Sequence, residues 1–151
     1  MELFIVRHGE ALPESIDPER PLSRAGISEI TEVAGVLKNA GARAGTIFFS
    51  TKKRAEETAR IISGILETDS TLVEREDMSP SSPVEPVMDM ISRAEKNIMI
   101  VGHMPFVGKL AKKLLGNAAA ESIHFETGSV LCLTKKDGAW NVEYSISPER
   151  K

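Results

Sequence analysis

Two histidines and two arginines stand at the ends of short apolar runs. Arg7-His8-Gly9 follows Leu3 to Val6, Ser50 to Arg54 follows Thr46 to Phe49, and Gly102-His103-Met104-Pro105 follows Asn97 to Val101. A short continuous apolar run that stops at polar or glycine residues predicts a buried strand of a parallel sheet. The carboxyl ends of such strands share one edge, and ligands bind along it. Arg7, His8, Arg54 and His103 are therefore expected to meet in one pocket.

That pocket suits a tetrahedral anion. Guanidinium groups are planar, permanently charged donors matched to phosphate oxygens. Arg54 and His103 also lie near expected helix N-termini, whose free N–H groups favour negative charge. A neutral imidazole in such a site can attack phosphorus and carry the phosphoryl group covalently. A second imidazole, when protonated, can donate to a non-bridging oxygen. Metal binding is the competing use of clustered histidines. The third histidine is His124, no histidine pair has four-residue spacing, and Cys132 is the only cysteine. Nearby arginines would repel a cation, so no metal and no other cofactor is expected.

The elements that must position these groups follow from periodicity. Glu10 to Pro21 is polar, holds Pro13, Pro18 and Pro21, and predicts a long loop. Ser23 is expected to cap a helix with Ile27, Ile30, Ala34 and Leu37 inward and Gly41 as its stop. Ser50-Thr51 is expected to cap a second, whose apolar face is Ala55, Thr58, Ala59, Ile62 and Leu66. Leu72 to Met78 is ambiguous, with a short strand one reading, before the turn-rich Ser79 to Pro83. A third helix carries Val84, Val87, Met88 and Ile91. Pro105 suits the first turn of a fourth, buried through Phe106, Val107, Leu110, Ala111 and Leu114 and ended by Gly116. Ser129 to Thr134 and Trp140 to Ile146 flank Asp137-Gly138 and predict an antiparallel hairpin at the sheet edge, with Trp140, Val142, Tyr144 and Ile146 alternating. Met78, Met88, Met90, Met99 and Met104 are read as core filler. The expected fold is α/β: a three-layer sandwich with a mainly parallel central sheet, helices on both faces and a C-terminal antiparallel hairpin.

Composition agrees with one domain over residues 1–151. Apolar residues make up 41% and charged residues 27%, with a net charge of −3. No sustained basic stripe suggests nucleic acid as a partner. No segment is long enough to span a bilayer, and Met1 to Arg7 lacks the basic start of a signal peptide, so the expectation is a cytoplasmic chain without a membrane partner. Cys132, within Val130 to Leu133, reads as a small buried hydrophobe.

Four motifs make the chemistry more specific. Phe4-Ile5-Val6-Arg7-His8-Gly9-Glu10-Ala11 resembles the opening strand and Arg-His-Gly signature of the histidine phosphatase superfamily, the phosphoglycerate mutase-like group. Arg20-Pro21-Leu22-Ser23-Arg24-Ala25-Gly26 resembles its post-loop helix start, and Ser50 to Ala59 its second-arginine motif. Val101-Gly102-His103-Met104-Pro105 resembles its second-histidine motif, in the form of the short SixA-type branch. The resemblance implies that His8 is the nucleophile and that Arg7, Arg54 and His103 bind phosphate. It implies a further phosphate contact from Arg20. Larger members carry an acidic general acid after the second-arginine helix; Asp77 is the best match, with Glu76 next.

The activity implied is a metal-independent phosphohistidine phosphatase. Its partner would be a phosphorylated protein, such as a phosphorelay histidine domain. The short chain leaves few residues for a lid, so an open pocket is expected. One alternative is a small phosphorylated metabolite, a sugar phosphate or nucleotide, with Glu10 to Pro21 folding over it. Another is a binding module for phosphorylated partners without turnover, against which the intact His8 argues.

Overall fold

A computed structural model describes residues 1–149. Strand β1 (Glu2–Arg7) is followed by helix α1 (Arg24–Asn39), β2 (Thr46–Ser50), α2 (Lys53–Leu66) and β3 (Thr71–Arg75). A 3-10 turn at Glu76–Met78 leads to α3 (Glu85–Arg93), β4 (Ile98–Gly102) and α4 (Phe106–Leu115). The chain closes with the short α5 (Asn117–Ala120), β5 (Val130–Lys136) and β6 (Ala139–Ile146).

The six strands form one sheet in the order β3-β2-β4-β1-β5-β6. Strands β1 to β4 are mutually parallel, and β5 runs antiparallel to β1. Apolar runs form the central strands because both sheet faces are covered. On one face α1 and α2 bury Ile30, Val33, Leu37, Ala59 and Ile62 against Phe4, Val6, Ile47 and Met99. On the other, α3 and α4 bury Val87, Ile91, Phe106 and Leu110 against Leu3, Ile5 and Ile100. The result is the expected three-layer arrangement with an antiparallel hairpin at one edge.

Register brings the strand ends together. Arg7 lies opposite Gly102, and Phe49 lies opposite Val101. Because β5 runs the other way, it is its beginning that meets this edge, with Val130 opposite Val6. Four chain segments therefore converge at one end of the sheet.

Four expectations need correction. Ile27 is 45% exposed, and Val33 takes the inward position instead, with Ile30, Ala34 and Leu37. Ser50-Thr51 does not cap α2: the N-cap residue is Lys52, with no side-chain cap bond. Met104 is 40% exposed, unlike the fully buried Met78 and Met99. The alternation of β6 is broken by a shift in register that leaves Glu143 outside the pairing, since Leu133 faces Val142 while Cys132 faces Tyr144. Trp140 consequently packs on one face of the sheet, and Tyr144 and Ile146 on the other.

Candidate active site

His8 leaves β1 with its backbone held on both sides. Its N–H donates to the Gly102 carbonyl at 3.0 Å, and its carbonyl accepts from the Gly128 N–H at 2.9 Å. The Gly9 N–H donates to Thr58 Oγ1 at 3.1 Å, and that hydroxyl donates to the Arg54 carbonyl at 2.7 Å. One hydroxyl on α2 thus links the His8 loop to the turn that carries Arg54. The start of α1 closes the same loop. Ser23 accepts from the Gly26 N–H at 3.0 Å as N-cap, and its own N–H donates to the Glu10 carbonyl at 2.9 Å. A Cβ on Gly26 would stand 2.1 Å from the Glu10 oxygen, so only glycine admits this approach.

His8 is 8% exposed. Its Nδ1 lies 2.6 Å from the Gly9 carbonyl, which can only accept. Nδ1 therefore carries the proton, and Nε2 keeps its lone pair. Burial is the main force pushing the His8 pKa down to about 4; Arg54, Arg7 and Arg20 add to it, and the Gly9 bond opposes it. His103 is 2% exposed, and its ring lies 4.9 Å from that of His8, centroid to centroid. Burial, then the charges of His8, Arg54, Lys52 and Arg7, pushes its pKa down to about 3. Both imidazoles are neutral near pH 7.

The arginines surround this pair. Arg7 donates through Nη1 to the Phe125 carbonyl at 2.8 Å. Arg54 is half-buried, and its Nε has no partner among the described residues. Burial and then Arg20 lower its pKa, though not enough to uncharge a guanidinium. Arg20 donates through Nε to the Leu12 carbonyl at 3.0 Å from a backbone with φ of +48°. Such a left-handed backbone costs a non-glycine residue roughly 1–2 kcal/mol. The loop tolerates that cost while turning Arg20 to the site.

Together these residues line a cavity of about 270 Å³, completed by Glu10, Ala11, Pro80, Met104 and Thr127. A groove of about 700 Å³ adjoins it, sharing Arg20 and Arg54 and also lined by Lys52 and Lys53. The cavity gathers Arg7, His8, Arg20, Arg54 and His103. It does not gather Asp77, whose carboxylate is held by Arg75 at 2.6 and 2.8 Å. That ion pair holds the Asp77 pKa below the usual carboxylate range and makes it a poor proton donor. Among the described residues, no group of three or more His, Cys, Asp or Glu side chains could hold a metal ion. No helix there is long and apolar enough to cross a membrane.

Sequence reasoning missed some contributors. Ser50 bonds His103 Nε2 at 2.5 Å instead of capping α2. Thr58 falls within the second-arginine motif and on the apolar face of α2, and neither feature reveals its hydroxyl's role. Met104 forms part of the wall, although it resembled one more core methionine.

Residues 3–78 match the family model described as the histidine phosphatase superfamily, branch 1. The chain belongs to this superfamily, whose members are phosphatases. No curated protein matches the chain. Among solved structures, the protein histidine phosphatase SixA complexed with tungstate is similar, with a TM-score of 0.87 at 24% identity over 98% of this chain and 97% of that one. A protein assigned as phosphohistidine phosphatase SixA from Agrobacterium tumefaciens gives 0.82 at 21% identity, over 98% and 97%. A mutant phosphoserine phosphatase from Entamoeba histolytica, complexed with phosphoserine, gives 0.72 at 15%, over 95% of each chain. At these identities the likeness carries the fold.

Proposed function

We propose that this chain is a metal-independent protein phosphohistidine phosphatase of the SixA type, with His8 as its nucleophile. The observation that carries the reading is the state of His8. Its Nδ1 proton is tied to the Gly9 carbonyl, and its neutral Nε2 stands among Arg7, Arg54 and His103. In this reading Nε2 attacks phosphorus, a new N–P bond forms, and the bond to the leaving group breaks with its electrons going to that group. Water then attacks the phosphorus, the N–P bond to His8 breaks, and inorganic phosphate leaves. Arg7, Arg54 and His103 hold the non-bridging oxygens throughout, and Arg20 adds positive charge at the rim.

The pairing of Asp77 with Arg75 favours phosphohistidine over an alkyl phosphate. An alkoxide leaving group needs a strong acid beside it. A protonated imidazole leaves as a neutral ring and needs none from the enzyme. The test is phosphate release with chelator present, from a phosphohistidine-bearing protein and from an aryl phosphate. Wild type is expected to prefer the protein, and His8→Ala to lose at least on the order of 10^4-fold in turnover. Release that survives His8→Ala would sink the reading. A preference for the aryl ester would leave a phosphatase but reject the phosphohistidine assignment.

A further inference from the structure

We infer that Ser50 is a positioning residue, whose hydroxyl holds His103 in the tautomer with its proton on Nδ1, making His103 a neutral donor to the phosphoryl group. The inference rests on the phosphatase reading above and adds to it the state of the second histidine.

Ser50 is the last residue of β2 and is 1% exposed. Its hydroxyl has one proton to place and lone pairs to offer. Among the described residues two groups hydrogen-bond with it: His103 Nε2 at 2.5 Å and the Lys52 N–H at 3.4 Å. The Lys52 N–H is a donor, so it cannot take the hydroxyl proton. Nε2 can, provided that it carries no proton itself. The opposite assignment, with Nε2–H donating to Ser50, strands the hydroxyl proton in a buried place. It also strands the Nδ1 lone pair, because Nδ1 is buried with no partner among the described residues. Two groups are then unsatisfied where the first assignment leaves one, and buried polar groups are rarely left so. The doubly protonated ring strands the hydroxyl proton as well.

The one group left over is an Nδ1–H on a ring that lines the cavity. A donor buried without an acceptor among the described residues is suited to an oxygen that arrives with the substrate. The Nε of Arg54 is in the same condition. The two histidines thus carry their protons on the same ring nitrogen and use them oppositely. His8 gives its proton to the Gly9 carbonyl and offers the Nε2 lone pair. His103 accepts at Nε2 from Ser50 and offers the Nδ1 proton. A neutral donor also brings no acidic proton within reach of the nucleophile, whose ring is 4.9 Å away.

The ring nitrogens report this directly in 15N NMR at pH 7, without turnover. In wild type, His103 is expected to show a protonated Nδ1 and an unprotonated Nε2. In Ser50→Ala the proton should move to Nε2, with kcat falling about 100-fold and KM little changed. A proton on His103 Nε2 in wild type overturns the inference, and this arm needs no variant to fold. So does a His103 spectrum unchanged by Ser50→Ala, or a shifted tautomer with unchanged kcat. Failure of the phosphatase reading appears elsewhere, as phosphate release that survives His8→Ala, and leaves the NMR result readable.

Discussion

At the scale of single residues, the site depends on keeping two imidazoles neutral beside cationic neighbours. Burial lowers the pKa of His8 from 6.5 to about 4 and that of His103 from 6.5 to about 3. The unfolded chain therefore binds protons between about pH 4 and 6.5 that the folded chain refuses. Stability rises with pH across that window and is lost on acidification. From pH 7 to pH 5 each histidine is expected to cost on the order of 2 kcal/mol. Urea denaturation at the two pH values should show this loss in wild type and a smaller one in His103→Gln. Equal losses would mean that His103 titrates normally in the folded protein. The same neutrality preserves the His8 lone pair well below pH 6.5, where an exposed histidine would already be protonated.

At the scale of elements, geometry comes from strand ends that coincide and from one helix allowed unusually close. The α1 helix holds two glycines with opposite surroundings. A Cβ at Gly26 would meet the Glu10 carbonyl oxygen at 2.1 Å, whereas one at Gly35 would meet nothing within 4 Å. Gly26→Ala is expected to destabilise by roughly 1–3 kcal/mol, because backbone must give way. It should also lower kcat, because the displaced segment adjoins His8. Gly35→Ala should stabilise by about 0.5–1 kcal/mol through helix propensity and leave kcat alone. Urea unfolding with kcat on both variants checks the contrast; similar behaviour would deny the close approach its role. The same elements explain what could be read from sequence. Strands β1, β2 and β4 were legible because burial on both faces makes them continuously apolar. His8, Arg54 and His103 were legible because each follows such a strand. Arg20 was legible only through resemblance, since it sits in a loop without periodicity. Ser50 was misread because a serine before a helix looks like a cap whether or not its hydroxyl turns to a histidine 53 positions away. The irregular pairing at Glu143 was invisible because an alternating pattern carries no mark of one extra residue.

At the scale of the whole molecule, the net charge is −3, yet positive groups converge at one sheet edge. Arg7, Arg20 and Arg54 line a single cavity, and Lys52 and Lys53 border the groove beside it. The exposed pair of Lys38 with Glu67 lies elsewhere, Lys53 in the groove is itself paired with Glu19 at 3.2 Å, and exposed pairs of this kind contribute little to stability. Placing like charges together costs folding free energy that a bound anion can return. Burial first, and after it the guanidiniums of Arg54 and Arg7, lowers the affinity of both histidines for protons. Filling the cavity with a multivalent oxyanion reverses that field and supplies acceptors for Arg54 Nε and His103 Nδ1. A ligand that binds only the folded state stabilises it by about 2.7 kcal/mol at a hundred times its Kd. For a chain of this length that corresponds to a rise in Tm of roughly 5–10 °C. Inorganic phosphate should therefore raise Tm in a saturable way, and less effectively at high ionic strength. Arg54→Ala should melt at a similar or higher temperature without phosphate, because a repelling charge is gone, and should lose most of the response. A phosphate response that is equal in wild type and Arg54→Ala would place the anion elsewhere on the surface and remove the electrostatic basis for the proposed site.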